Sequence, residues 1–291
     1  MDEKILEIKK LNKSYGEKFS IEDLNLTIKK GEIVGIIGAN GAGKSTMIKS
    51  ILNIINIDSG MVLFSGKEMK SNEEEIKRKI GYVGDNNKFY NDITLKSIYK
   101  FVKESYKQNW NDEYFNILIN DIFKLDMKKK VKELSKGMLV KYMIALALSH
   151  NPELLILDEP TSGLDPIIRE EVIKILFNIN KEKNVTILMS SHILEDIESI
   201  CNRIIYIDSG EVILDICKED AANTYKRIKQ YKLDDSEKKL FDEFAVINNE
   251  NYLFDINLFN KEVINKSKFQ PMFERASLSE ILIVLKERKN I

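Results

Sequence analysis

The chain has little of what would tie it to a disulfide framework, a metal centre or a membrane. Among 291 residues there are two cysteines, Cys201 and Cys217, without CxxC spacing. That fits free thiols in a reducing compartment better than cross-links. The two histidines, His150 and His192, show no metal-ligand spacing either. No run approaches the roughly 18 uninterrupted apolar residues a membrane span takes; the longest are short, such as LLIL at 154–157. The opening MDEKILEIKK alternates charge with aliphatic residues, so it reads as a first strand and lacks the apolar core of a secretion signal. With 45 basic against 46 acidic side chains, no overall field favours nucleic acid. A 43% hydrophobic content is enough for the core of one large domain or two modest ones.

What is present begins with IVGIIGANGAGKSTMIKSIL. An apolar strand, Ile33 to Ile37, runs into Gly38-x4-Gly43-Lys44-Ser45, and Met47, Ile48, Ile51 and Leu52 then follow at helical spacing. This is the phosphate-loop pattern in its required setting, strand before and helix after. The glycines let the backbone curl so that N–H groups point inward, and the helix N-terminus adds about half a positive charge facing the same place. Gly38, Asn40, Gly41, Ala42, Gly43, Lys44, Ser45 and Thr46 form the expected nucleotide-binding set. Within it, Lys44 reaches the β and γ phosphates and Ser45 offers its hydroxyl to Mg²⁺.

A second apolar strand, Leu154 to Leu157, delivers Asp158 and Glu159. Its unbroken apolar run fits a strand covered on both faces, as in a parallel sheet. Ligands bind beyond the carboxyl ends of such strands. Asp158 is placed to hold Mg²⁺ through water and Glu159 to orient or deprotonate an attacking water. Taken alone, an Asp-Glu pair after an apolar strand also fits a helix cap; the phosphate loop argues for the metal reading.

A third station is ELSKGM, Glu133 to Met138, where Ser135 has the character of a helix N-cap and Gly137 allows close backbone approach. It is a second anion-suited helix start in a chain that already has a phosphate site.

Four motifs in order, GANGAGKST at 38–46, LSKGM at 134–138, LLILDEPTSGLD at 154–165 and SSH at 190–192, resemble the ATP-binding cassette proteins, the nucleotide-hydrolysing subunits of ABC transporters. The resemblance runs from Ile5 to about Leu214. It implies an α/β fold: a P-loop NTPase core with an antiparallel β subdomain and an inserted helical subdomain, about residues 86–150. Residues 1–215 would be the nucleotide-binding domain and 216–291 a small C-terminal α+β extension.

The resemblance also assigns the third station. In the family this helix start contacts the ATP held by a second cassette, so Ser135, Lys136, Gly137 and Met138 would serve a partner's nucleotide. It implies that Tyr15 stacks on adenine, that Asp165 crosses the dimer interface and couples the two sites, and that His192 contacts the γ-phosphate. Glu159, His192 and Lys44 would be the catalytic set, and Ser45, Asp158 and Asp85 the metal set, with ATP and Mg²⁺ as cofactors. The implied partners are a second cassette, taken as a homodimer, and an integral membrane permease, with no nucleic acid expected. The implied location is cytoplasmic, peripheral at the inner face of the cell membrane.

The chain departs from the family pattern where Lys136 and Met138 replace the usual glycine and glutamine, and where Asp85 replaces a common glutamine. A lysine at a helix start opposes the helix dipole by about 0.3–1 kcal/mol, and would favour a bound triphosphate; the alternative is a solvent-facing side chain. Asp85 can accept a hydrogen bond from metal-bound water but cannot donate one as an amide does; its alternative is a surface turn. Phe89 and Tyr90 follow at the position where the family receives a helix from the membrane subunit; packing of the helical lobe is the alternative. IIYIDSGEVILD, 204–215, reads as a hairpin turning at Ser209-Gly210, and Ser277 with Glu280 as a capping box.

The leading functional expectation is an ATPase that powers a separate permease, of the bacterial exporter type. The alternative is a soluble cassette ATPase acting on ribosomes or DNA. Against it, there is one cassette here, and the interval from Lys44 to Asp158 is too short for a long coiled-coil arm.

Overall fold

The computed structural model describes residues 3–16, 19–85, 89–242, 245–248, 251–255 and 272–289. The chain divides into two compact units, Met1–Asp215 and Ile216–Ile291.

The first unit opens with strands β1 (Lys4–Ser14), β2 (Ser20–Lys29) and β3 (Ile33–Ile37), helix α1 (Lys44–Ile51), strands β4 (Ser59–Phe64) and β5 (Lys67–Glu68), helix α2 (Glu73–Lys77) and strand β6 (Ile80–Val83). A helical stretch follows: α3 (Leu95–Tyr106), α4 (Asp112–Asn116), which passes into a π-helical turn over Ile117–Ile122, and α5 (Lys136–Leu148). The chain returns through β7 (Leu154–Asp158), α6 (Pro166–Lys183), β8 (Thr186–Ser191), α7 (Leu194–Ile200), β9 (Arg203–Asp208) and β10 (Glu211–Cys217).

Two sheets result. One has the order β2-β1-β4-β5, with β1 antiparallel to both β2 and β4. The other has the order β10-β9-β3-β8-β7-β6, with β9, β3, β8, β7 and β6 parallel in turn. Every residue of β3, β7 and β8 is buried, which accounts for their continuous apolar sequences. β1 and β2 alternate instead, as strands of a sheet with one covered face do. One core joins Leu6, Ile8 and Val62 of the antiparallel sheet, Met47, Ile48 and Ile51 of α1, and Ile36, Ile156 and Leu188 of the parallel sheet. The phosphate-loop helix is thereby held between the two sheets.

Register decides where chemistry can occur. Asp158 pairs with Ser190, and Ser190 with Ile36, so the ends of β7, β8 and β3 lie level. The loops carrying Glu159, His192 and Gly38 therefore leave the sheet side by side. The turn between β9 and β10 has Ser209 at φ 52° and Gly210 at φ 83°, the left-handed pair a tight hairpin takes.

The second unit has helices α8 (Lys218–Thr224) and α9 (Asp235–Asp242) and strands β11 (Tyr225–Lys229), β12 (Val246–Asn248), β13 (Asn251–Asp255) and β14 (Glu274–Arg275), ending in helix α10 (Leu278–Lys289). Its sheet order is β12-β13-β11-β14, over a core of Ile228, Leu233, Phe241, Tyr252 and Phe254. The capping box is formed: the Glu280 N–H donates to Ser277 Oγ at 3.3 Å, and the Ser277 N–H to Glu280 Oε2 at 2.7 Å.

Candidate functional site

A cleft of about 620 Å³ opens at the level ends of β3, β7 and β8. Its walls include Ala39, Asn40, Gly41, Gly43, Lys44, Ser45 and Thr46 of the phosphate loop, with Asp85, Glu159, Ser162 and His192. Gly43 sits at φ 113°, and a Cβ there would lie 2.8 Å from Phe19 Cζ, so the loop closes around α1 only with glycine. Gly38 contributes its carbonyl, which accepts from Lys44 Nζ at 2.7 Å. Ala42 is turned into the core, and its carbonyl accepts from the Gly210 N–H at 2.9 Å.

Lys44 is 6% exposed, and its ammonium is held by the Gly38 and Ala39 carbonyls and by Glu159 Oε1 at 3.3 Å. A buried cation aimed across a loop of backbone N–H groups is what an incoming polyphosphate would neutralise.

Glu159 is the most constrained residue of the site. Its φ of 52° is left-handed, a conformation of order 1–3 kcal/mol above the ordinary ones for a side chain with a Cβ. Ser190 holds it there, accepting from the Glu159 N–H both at its carbonyl oxygen, 3.2 Å, and at Oγ, 3.0 Å. The same Ser190 hydroxyl donates to Asp158 Oδ1 at 2.7 Å, and Ser45 Oγ donates to that oxygen at 3.2 Å. Ser45, Asp158 and Ser190 thus form one chain of hard oxygen atoms beside the phosphate loop, the ligand type Mg²⁺ takes.

His192 Nδ1 lies 2.6 Å from Glu159 Oε2, and its backbone N–H donates to the same oxygen at 3.3 Å. An ionised carboxylate only accepts, so Nδ1 carries the proton in this contact. The neutral ring then offers Nε2 as an acceptor, and donation from Nε2 to a phosphate takes the imidazolium.

Two neighbouring aromatic rings bear on the adenine expectation. Tyr15 is 48% exposed, with the Lys13 ammonium 5.2 Å from its ring centroid, and it does not line the cleft. Phe19 does, and its ring centroid is 6.4 Å from that of Tyr15. Phe19 and Ser190 were not singled out by sequence. A single phenylalanine before a strand and a serine inside one carry no spacing signal; only the neighbouring glycine loop and the SSH run hint at them.

The residues of the third station do not line this cleft. Ser135 caps α5, its Oγ accepting from the Met138 N–H at 3.2 Å, which leaves the hydroxyl proton free to point outward. Gly137 is buried, and a Cβ there would meet Ile168 Cγ2 of α6 at 2.6 Å. The exposed Lys136 places its ammonium beside Gly163 of the loop after Glu159. Asp165 is exposed and caps α6, accepting from the Ile168 N–H at 3.1 Å, with Pro166 at the first helical position. None of Ser135, Lys136, Gly137, Met138 or Asp165 lines the cleft. Phe89 instead lines a separate, largely apolar groove of about 440 Å³ with Leu52, Ile54, Tyr82, Phe101 and Met143, while Tyr90 is 80% exposed. Residues 86–88 of that segment lie outside the described residues.

Comparison with known proteins identifies the family. The ABC transporter family model matches residues 21–162. The bacitracin transport ATP-binding protein BcrA of Bacillus licheniformis is 36% identical over 237 residues, 80% of this chain and 76% of that protein. The lantibiotic transport ATP-binding protein SrtF of Streptococcus pyogenes is 35% identical over 212 residues, 72% of this chain and 90% of that one. Among solved structures, a dimeric post-hydrolysis ATP-binding cassette bound to ADP and Pi aligns with TM-score 0.65 and 26% identity, over 73% of this chain and 98% of that one. The chain therefore belongs to the ABC transporter family, as one of its ATP-binding cassette ATPases.

Proposed function

We propose that two copies of this chain close around two ATP molecules and drive a separate membrane permease, and that the transport is export. The observation that carries the pairing is that Ser135, an exposed helix cap, does not line the chain's own cleft: a capped helix start with an outward hydroxyl suits a phosphate that the same chain's loop does not hold. Export is supported by likeness to the bacitracin and lantibiotic transport proteins.

In this reading the γ-phosphate competes with Glu159 for Lys44 and frees the carboxylate. Glu159 then takes a proton from water as its oxygen attacks the γ-phosphorus, and the bond to the ADP oxygen breaks. His192 holds Glu159 and the water in line. Ser45, Asp158 and Asp85 would hold Mg²⁺, which supplies charge neutralisation on the phosphates. Phe19 and Tyr15 would form the adenine-side wall. The apolar groove at Phe89 would take an amphipathic helix of the permease, which would hold the chain at the inner face of the membrane.

Affinity-tagged chain recovered from gently solubilised membranes of its source cells tests the reading. One integral membrane protein in stoichiometric amount is expected. Recovery with ribosomal proteins or DNA in its place would overturn it.

A further inference from the structure

Asp196 is a buried carboxylate that the reaction scheme above does not use. It is 4% exposed and lies in the first turn of α7, four residues beyond His192. The Thr161 hydroxyl, itself fully buried, donates to Asp196 Oδ2 at 2.6 Å. Arg169 Nε meets Oδ1 at 3.2 Å. Thr161 is two residues beyond Glu159. Arg169 is one helical turn beyond Asp165, to whose carbonyl its own N–H donates at 2.9 Å. One carboxylate thus fastens two segments to its own: the turn after Glu159 and the start of α6 beyond Asp165 are held to the helix that follows His192.

We infer that Asp196 is a positioning residue for ATP hydrolysis, which holds the loops after β7 and β8 and the start of α6 in one fixed arrangement. The inference rests on the proposed function and adds to it a residue that touches no nucleotide.

The physical case is that each loop is short and would otherwise choose its own geometry. Glu159 is in a strained conformation, which persists only when its surroundings over-determine it. Ser190 fixes the backbone of Glu159 from the β8 side. The Thr161 to Asp196 bond fixes the far end of the same turn from α7, so the turn is tied at both ends to the element that carries His192. Burial pushes the Asp196 carboxyl above its ordinary range, with the Thr161 hydroxyl and then Arg169 opposing that shift. Removing the hydroxyl or the guanidinium leaves a buried carboxylate short of partners, and it will seek others by moving α7. A groove of about 580 Å³ between α6 and α7, lined by Arg169, Glu195 and Asp196 among others, leaves room for that movement.

The test uses the full-length chain with Asp196→Asn and Thr161→Val, both near-isosteric, and Thr161→Ser, which keeps the hydroxyl. ATPase rates are measured against ATP concentration, alongside thermal melting. Asp196→Asn and Thr161→Val should each lower kcat at least about tenfold, as loss of orientation at a reacting centre does. The KM for ATP should stay within about twofold, because the phosphate loop is untouched, and Thr161→Ser should recover most of the rate. The double variant should be little worse than either single one, since Asp196→Asn, which gives up the Arg169 ion pair, and Thr161→Val, which gives up the hydroxyl bond, loosen the same tie. The inference is overturned if Asp196→Asn keeps kcat within twofold, if kcat and melting temperature fall together in proportion, or if the two losses multiply. Should the unmodified chain hydrolyse no ATP at all, the proposed function falls first and takes this inference with it. An active parent with an indifferent Asp196→Asn sinks this inference alone.

Discussion

Replacing Gly137 by alanine probes the joint between α5 and the rest of the cassette. The added Cβ would stand 2.6 Å from Ile168 Cγ2, where ordinary contact begins at 3.4 Å. The obstacle is a side-chain methyl in the first turn of α6, so the structure can respond by turning Ile168 or by moving α5 away. Overpacking of this kind costs about 1–3 kcal/mol. Alanine in place of glycine near a helix start returns about 0.5–1 kcal/mol. Gly137→Ala should therefore destabilise the chain by about 1 kcal/mol, within a range of roughly 0–2.5, read by urea denaturation. Combining it with Ile168→Ala removes the obstructing methyl, so the double variant should be more stable than the two single losses predict, by about 1 kcal/mol. The same variants report on function: Gly137→Ala should weaken ATP-driven pairing, and Ile168→Ala in the same chain should restore it in part. If Gly137→Ala is as stable as the parent and the two substitutions add without coupling, α5 does not rest on α6 as described.

His150 gives a pH prediction. Its ring is 2% exposed, stacked on Tyr106 at 3.9 Å, with Nε2 3.2 Å from the Ile80 carbonyl, and burial lowers its pKa from 6.5 to about 4. The unfolded chain then binds the extra proton between those values and the native chain does not, so stability falls as pH drops through that window. The full effect is about 3 kcal/mol, of which about 2 is lost between pH 7 and pH 5. His150→Phe, which keeps a ring against Tyr106, should flatten that part of the pH profile in urea unfolding; parallel profiles would refute the burial argument. Phe19→Ala should weaken ATP binding about 2- to 12-fold, the worth of one aromatic contact at about 0.5–1.5 kcal/mol, in a fluorescent-nucleotide titration. Unchanged affinity would return the adenine wall to Tyr15 alone.

What could be read from sequence was whatever repeats at short range. Gly38 to Thr46, the apolar runs of β3 and β7, the Ser209-Gly210 turn and the Ser277 box all announce themselves within a few residues, because backbone conformation and burial are written locally. Ser135 was legible as a cap for the same reason. Contacts made by folding were not legible. Thr161 and Asp196 are 35 positions apart, and nothing in either neighbourhood marks the other. Gly137 read as room for a phosphate, and its close neighbour in this chain is Ile168. Asp165 read as a coupling residue, and within one chain it is also an N-cap. The four-stranded sheet of the second unit was weakly legible, since strands of two to five residues are too short to display a period.

In the proposed pairing each chain supplies half of a reaction centre. Glu159→Gln keeps the shape of the site while removing the base, so ATP should bind and persist. Light scattering of this variant with Mg²⁺ and ATP should give twice the mass of the single chain, returning to the single mass with ADP or when Ser135→Ala is added. A Glu159→Gln chain that stays single at saturating ATP, beside a parent whose ATPase rate per chain is independent of protein concentration, would contradict it.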